Sequence, residues 1–269
     1  MFSDPAPSGL AQALKPLDLP EWCYFKSVPS TNDLALTWAR SGAGDGALIL
    51  ADRQTAGRGR EHRRWETYPG AALALSLILR PTAAEAAHSA RFTALAALGL
   101  VAALAPLGLQ GQVKWPNDVL IEGKKVAGIL VEVDWQNDAL QALVVGMGVN
   151  ITREAIPPAR RLRYPATAVA VAAGEAVDRW DILASILHEI KRYRTFLPEP
   201  RFMEAWNQHL AFRNEQITFR LPDGNRISGE VLGVLPDGQL ALWDPQGHAH
   251  SLIAGEIVWM EQSGGHQDR

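Results

Sequence analysis

The chain has 269 residues, 47% of them apolar, enough for one large domain and a smaller one beside it. Charged residues make up 20% and the net charge is -3, which disfavours a dedicated nucleic-acid binder, so any cationic cluster must be local. Cys23 is the only cysteine, which excludes an internal disulfide and a thiolate metal cage and fits a reducing, cytoplasmic setting.

Residues 1–20 lack the basic-then-apolar order of a secretion signal and read as an N-terminal extension. Trp22 to Val28 has the pattern of a first strand. Ser30 then caps a helix, and Asp33, three residues on, sits near the positive end of its dipole. Leu34 and Trp38 give that helix an apolar face, and Gly42 suits its end. Ala47 to Ala51 is a short apolar strand. Between Gly57 and Trp65, two glycines and five charges rule out regular structure and point to a mobile loop. Ala71 to Arg80 places Leu73, Leu75, Leu77 and Leu79 at alternate positions, the pattern of a half-buried strand. The most apolar run, Phe92 to Leu109, is rich in alanine and broken by Gly99 and Pro106. It reads as a core helix capped near Ser89, not as a membrane span.

Val113 to Ile151 reads as antiparallel strands. Val119–Ile121 and Val126–Val133 flank a turn at Glu122-Gly123-Lys124, Trp135–Asp138 makes the next turn, and Leu140–Val149 returns. Helices follow at Asp181–Leu197 and Arg201–Leu210. From Asn214 the texture changes to short strands at Ile217–Leu221, Ile227–Leu235, Gln239–Trp243 and Ser251–Trp259. Turns at Pro222–Asn225, Pro236–Gln239 and Pro245–His248 separate them. The expected fold is α+β: a mixed, mainly antiparallel sheet with helices over 21–212, then a small all-β SH3-like barrel over 213–262. Residues 263–269 read as a disordered tail.

The chemistry concentrates in three places. Lys114-Trp115-Pro116-Asn117-Asp118, followed by Lys124-Lys125, sets lysines and a carboxylate in a hairpin suited to phosphate or carboxylate. Asp118 can hold Mg²⁺ or anchor a lysine. Small residues after Lys125, Ala127 and Gly128, let a ligand lie against the backbone. Gly57-Arg58-Gly59-Arg60 joins planar guanidinium forks to exposed amides, an anion binder or an RNA-binding segment. Trp65 can anchor this loop on the fold or on a ligand. Gly146-Met147-Gly148-Val149-Asn150 ends a strand with an amide that matches the edge of adenine.

Taken together and in this order, Ser30-Thr31-Asn32, Gln54 to Arg60, Lys114 to Asp118, Lys125 to Glu132 and Gly146 to Asn150 resemble bacterial biotin–protein ligases over almost the whole chain. The resemblance implies a catalytic domain related to class II aminoacyl-tRNA synthetases and lipoate ligases, then an SH3-like domain. It implies activation of biotin with ATP and Mg²⁺ to biotinoyl-5'-AMP. Biotin then passes to a lysine of the biotin carboxyl carrier protein of acetyl-CoA carboxylase or a similar acceptor domain. On this resemblance, Ser30, Thr31, Asn32, Gln54 and the Gly128 backbone hold biotin. Gly57, Arg58 and Arg60 belong to the loop that orders over biotin and adenylate, and Arg58, Arg60 and Lys125 act in catalysis. Lys125 bridges the biotin carboxylate and the α-phosphate. Asn150 meets the adenine with Trp65 nearby, while Lys114, Asn117 and Asp118 support the phosphates and metal.

The sequence departs from the family pattern in two places. Glu61 and His62 stand where a basic residue and glycine are common, and Gly255-Glu256-Ile257 is not followed by an arginine. The 29 residues before Ser30 leave no room for a repressor's helix-turn-helix, so no operator DNA is expected; a homodimer through exposed strand edges is. A lipoate ligase would share fold and chemistry, but Ser30-Thr31-Asn32 and Gln54 favour the ureido ring. A nucleic-acid module using Gly57 to Arg64 is opposed by the net charge. An interaction protein built on the SH3-like tail leaves the lysines unexplained.

Overall fold

The computed structural model describes residues 3–61, 63–136, 139–158, 162 and 164–258. The chain divides into two units, Met1–Ala211 and Phe212–Arg269.

In chain order the first unit contains α1 (Leu10–Leu14), β1 (Trp22–Phe25), α2 (Thr31–Arg40), β2 (Leu48–Ala51), β3 (Ala72–Leu79), α3 (Ala83–Ala86) and α4 (Arg91–Leu104). There follow β4 (Gly111–Lys114), β5 (Asp118–Ile121), β6 (Lys124–Gln136), β7 (Ala139–Asn150), α5 (Val169–Ala173), α6 (Arg179–Arg194) and α7 (Pro200–Gln208). The seven strands form one sheet in the order β1-β2-β3-β7-β6-β5-β4. Only β1 and β2 run parallel, so the sheet is mixed and mainly antiparallel as its connections predict.

Ser30 caps α2 by accepting a hydrogen bond from the Asp33 amide at 3.4 Å. The helix buries Ala35 and Ala39 against Ile49, Ile78, Ala142 and Val144. This corrects the reading of β3 as half-exposed: all eight of its residues are buried. Its alternation is of large against small side chains. The leucines take one face, while Ala74, Ser76 and Ile78 take the face on which α2 lies. Nearly every residue of α4 is buried, and Gly99 lets α6 approach; a Cβ there would come within 2.6 Å of Ile190 Cγ1. The start of α4 differs from expectation. No side chain caps it at Ala90, and the capping box lies one helix earlier, where Thr82 and Glu85 exchange hydrogen bonds at α3. Among the described residues no helix is long and apolar enough to cross a membrane.

Both outer strands of this sheet are covered. The Asp4 amide donates to Tyr24 O at 2.8 Å and Asp4 Oδ2 accepts from the Lys26 amide at 2.7 Å, along β1. The Val113 amide of β4 donates to His209 O at 2.7 Å, and the Ala211 amide donates back to Val113 O.

The second unit is an antiparallel sheet of β8 (Gln216–Arg220), β9 (Arg226–Val234), β10 (Leu240–Trp243), β11 (Ala249–Leu252) and β12 (Glu256–Ile257), in the order β11-β10-β9-β8-β12. Its three turns each use an aspartate whose Oδ1 accepts from an amide two residues on: Asp223 from Asn225, Asp237 from Gln239 and Asp244 from Gln246. The strand expected over Ser251–Trp259 is two short strands broken at residues 253–255. Trp259 and the tail lie outside the described residues.

Candidate active site

One face of the central strands is covered by α2 at one end only, and the remainder of that face is the site. Cross-strand register brings Lys114 opposite Asp118, Asp118 opposite Gly128, Gly128 opposite Gly148, Gly148 opposite Ala74, and Ser76 opposite Gly146. Directly paired residues point to the same face, so this row is a continuous floor of small residues with a charged end.

Lys125 joins that end through an irregularity. Val119 pairs with Ala127 and Leu120 with Lys125, leaving Val126 as an extra residue. A bulge shifts the pleat by one, so Lys125 faces the same side as Gly128 and not the opposite one. Its Nζ lies 2.6 Å from Asp118 Oδ1, while Lys114 Nζ lies 2.9 Å from Asp118 Oδ2. The bulge also frees backbone groups, and the segment after β7 takes them. The Lys125 amide donates to Pro165 O at 2.7 Å, and Lys125 O accepts from Thr167 N at 2.9 Å. Asn150 Nδ2 donates to the Thr167 carbonyl at 3.0 Å, so one strand of chain ties the Lys125 and Asn150 positions together. Burial alone would raise the Asp118 pKa, but the charges and hydrogen bonds of Lys125 and Lys114 outweigh it and hold the carboxyl below its ordinary value.

The Trp115–Pro116 peptide is cis. Asn117 fastens the β4–β5 hairpin to β6: its Nδ2 donates to Ile129 O at 2.8 Å, and its own carbonyl accepts from the Ile129 amide.

At the other end of the floor lie the first residues of α2. Thr31, Asn32 and Ser30 are buried, as is Ser76 beneath them. Asn32 Nδ2 faces two acceptors, Leu130 O at 3.2 Å and Glu132 Oε2 at 2.8 Å. That fixes the amide orientation and leaves Asn32 Oδ1 toward Ser76 Oγ at 2.6 Å. An amide oxygen only accepts, so the Ser76 hydroxyl hydrogen goes to Asn32. The single Thr31 hydroxyl hydrogen then lies between two acceptors, Ser76 Oγ at 2.8 Å and Gln54 Oε1 at 3.0 Å. Gln54 Oε1 already receives the Thr31 amide at 2.9 Å. Within this cluster the hydrogen-bonding capacity left over is a Thr31 Oγ1 lone pair as acceptor, with Gln54 Nε2 and the Ser30 hydroxyl as donors. Gly146 makes this packing possible, because a Cβ there would lie 2.2 Å from Asn32 Oδ1.

Among its described residues the segment over the floor forms no helix or strand, as its glycines and charges predict, but it is folded back on itself. Arg58 and Arg64 bridge, the Gly59 amide donates to Arg63 O and the Trp65 amide to Gly57 O, so it is a tight hairpin with Glu61 at positive φ near its tip. Trp65 closes it down. Its indole sits on the floor, so a Cβ at Gly148 would meet it at 2.2 Å and one at Gly128 at 3.2 Å. Lys125 Nζ lies 5.6 Å from the ring centroid. The indole Nε1 is buried with no hydrogen-bond partner among the described residues. A cleft of about 560 Å³ separates the hairpin from β6, lined by Arg58 to Glu61, Thr93, Pro116, Asn117 and Ile129 to Glu132.

The two arginines differ. Arg58 is bound by Asp33 and by Glu132 at 2.8 Å, so neutralising a phosphate would require it to leave both carboxylates. Desolvation alone would lower its pKa, but these partners raise it. Arg60 lines the cleft and has no ion-pair partner among the described residues. Asp118 does not fit a metal ligand, because both oxygens already serve lysines. No group of three or more His, Cys, Asp or Glu among the described residues could hold an ion. An Mg²⁺ carried in on ATP phosphates needs few protein ligands.

All the residues expected at the site, from Ser30, Thr31, Asn32 and Gln54 through Gly57, Arg58, Arg60 and Trp65 to Lys114, Asn117, Asp118, Lys125, Gly128 and Asn150, fall on this face or its rim. Sequence reasoning missed Ser76, Glu132 and the Tyr164–Thr167 segment. Ser76 had a signal, being the single polar residue in Ala72–Leu79. The bulge at Val126 had none.

A floor of small residues, a lysine pair around one carboxylate and arginines above it make an enzyme site suited to an anionic small molecule. Residues 24–150 match the biotin/lipoate A/B protein ligase family. The biotin–[acetyl-CoA-carboxylase] ligase of Paracoccus denitrificans is 35% identical over 86% of this chain and 97% of that protein. The bifunctional ligase/repressor BirA of Bacillus spizizenii is 33% identical over 83% of this chain and 70% of that protein. The chain belongs to the biotin/lipoate A/B protein ligase family. Among solved structures, the biotin protein ligase of Aquifex aeolicus in complex with biotin and ATP superposes with a TM-score of 0.74 at 26% identity, covering 89% of this chain and 98% of that one.

Proposed function

We infer that this chain is a biotin–protein ligase. It activates biotin with ATP and transfers it to a lysine of a biotin-accepting carboxylase domain. The observation that carries biotin over lipoate is the polarity of the pocket end. The Ser30 hydroxyl and Gln54 Nε2 offer hydrogens while Thr31 Oγ1 offers lone pairs. A urea presents one carbonyl and two N–H groups, the complement of this set, whereas a dithiolane presents neither. A site built for such hydrogen bonds rejects ligands that lack them.

In the first step a biotin carboxylate oxygen attacks the α-phosphorus of ATP. The new O–P bond forms as the bond to the β-phosphate oxygen breaks and pyrophosphate leaves. Attack by one anion on another is opposed by charge, and we assign Lys125 to offset it at the carboxylate and α-phosphate. Arg60, without an ion-pair partner among the described residues, supplies a second charge. Asp118 holds Lys125 and Lys114 in place; charged and doubly bound, it is unsuited to accept a proton. Asn150 and the indole of Trp65 take the adenine side. The mixed anhydride hydrolyses in water, which the hairpin over the floor opposes. In the second step the neutral amine of the acceptor lysine attacks the acyl carbon; the C–N bond forms as the acyl C–O bond to the phosphate breaks, AMP leaves, and the amine's proton passes to solvent.

We assign both steps to residues 21–212, with the biotin carboxyl carrier protein of acetyl-CoA carboxylase as acceptor. A homodimer is supported by the outer edge of β6, which has no strand beside it beyond Gly128 among the described residues. Isothermal titration with biotin, lipoate and an oligonucleotide, with and without ATP, tests the reading. Biotin alone should bind, and preferential binding of lipoate or of the oligonucleotide would overturn it. Lys125→Ala should abolish biotin-dependent ATP–pyrophosphate exchange while the fold persists. Near-normal exchange would remove the role given to Lys125.

A further inference from the structure

Glu132 has no part in the chemistry above, yet it is the point where the pocket end and the hairpin meet. Its Oε2 accepts from Asn32 Nδ2 at 2.8 Å and lies 2.8 Å from Arg58 Nη2. Asn32 is in turn fixed by Ser76, so one hydrogen-bonded chain runs Thr31–Ser76–Asn32–Glu132–Arg58, from the buried strand β3 to the hairpin. Asp33, on the same first turn of α2 as Asn32, takes Arg58 from the other side. The Arg58 side chain is 41% exposed, Asp33 54% and Glu132 22%, so this join is loose enough to open and wet enough to reclose.

We propose that Glu132 is a positioning residue that latches the Gly57–Trp65 hairpin shut through Arg58, and that Asn32 couples the latch to the pocket end. Resting on the biotin-ligase reading, the latch decides how long activated biotin stays enclosed, and Arg58 acts as its bolt. A ligand that presses on Thr31 moves Asn32, and through it the carboxylate that holds Arg58.

The test uses the full chain without substrate first. Arg60, Arg63 and Arg64 are exposed or half-buried trypsin sites in the hairpin. In Glu132→Gln, which can still accept from Asn32 but loses its charge toward Arg58, hairpin cleavage should rise about three- to fivefold, the scale of a partly exposed ion pair. Raising salt from about 0.05 to 0.5 M should speed cleavage of the wild type, normalised to a reference peptide, and should speed that of Glu132→Gln less, since only the Asp33 pair remains to be screened. Release of pre-formed biotinoyl-5'-AMP should quicken by a similar factor, and Glu132→Asp should recover part of the difference. Should Glu132→Gln fail to fold, Asp33→Asn, at an exposed position, should also raise cleavage, with a salt response smaller than the wild type's because only the Glu132 pair remains. Unchanged cleavage in both variants, or equal salt response in variant and wild type, overturns the latch. Cleavage without substrate does not depend on what the enzyme binds, so the latch can fail while wild-type exchange with biotin succeeds, and the converse.

Discussion

Asp118→Asn removes the one negative charge between Lys114 and Lys125 while keeping the side chain's shape. In the wild type Asp118 is 7% exposed and holds Nζ groups at 2.6 and 2.9 Å. Breaking a buried ion pair by losing one partner costs about 3–5 kcal/mol. The low end applies, because the Lys125 side chain is 28% exposed and can swing toward water, whereas Lys114, at 11%, cannot. About 3 kcal/mol corresponds to a fall in Tm of roughly 6–12 °C for a domain of this size. The variant also leaves two lysines facing each other, so Lys125 should leave its place above Gly128, and biotin-dependent ATP–pyrophosphate exchange should fall at least about tenfold. The pH dependence has a definite sign. Asp118 has a folded pKa below its unfolded value, so its contribution is complete above the ordinary carboxylate pKa and is lost as pH falls through the lowered folded value. Denaturant melts at pH 7 and in acid, for wild type and Asp118→Asn, are the assay. The two should differ by about 3 kcal/mol at pH 7 and converge in strong acid. A difference below about 1 kcal/mol at pH 7, with normal exchange, would refute the reasoning.

Gly146→Ala places a Cβ 2.2 Å from Asn32 Oδ1, so the first turn of α2 must shift. Biotin affinity measured by titration should fall at least about tenfold with the protein still folded, since misplacing pocket groups by an ångström is costly; unchanged affinity would separate Asn32 from the pocket. Arg60→Gly removes a guanidinium that lines the cleft. The variant should leak activated biotin, seen as labelling of bystander proteins, and unchanged labelling would show that Arg60 holds nothing in.

The residue types of the site were legible in the sequence because each lies in a short run whose chemistry is local: lysines beside Asp118, glycines beside Asn150, arginines between glycines. Their convergence was legible only through the resemblance. Sequence order alone does not say that Gly128, Gly148 and Ala74 share one row, which depends on cross-strand register. Lys125 shows the limit most sharply. Counting by two along β6 puts it on the opposite face from Gly128, and only the extra residue at Val126 reverses that. Glu132 stood inside a recognised run yet had no assigned partner, because Arg58 and Asn32 are 74 and 100 residues away in the chain. The leucine alternation of β3 was real, but its meaning depended on a helix covering the second face. The turn-back at Gly57 to Trp65 was not legible, because Trp65 packs on glycines that come later in the chain.

The first residues of the chain bear on where it can be cut. A break before Glu21 appears harmless from composition, since 1–20 reads as an extension of a domain that starts with β1. The structure argues otherwise. Losing Asp4 bares the Tyr24 carbonyl and the Lys26 amide along a strand whose neighbours are already apolar, and losing Leu10 and Leu14 opens the surface of α6 that α1 covers. A trimmed protein would present a ready template for strand-to-strand association. Its shortening should therefore show first as precipitation on concentration, well before any loss of turnover in dilute solution.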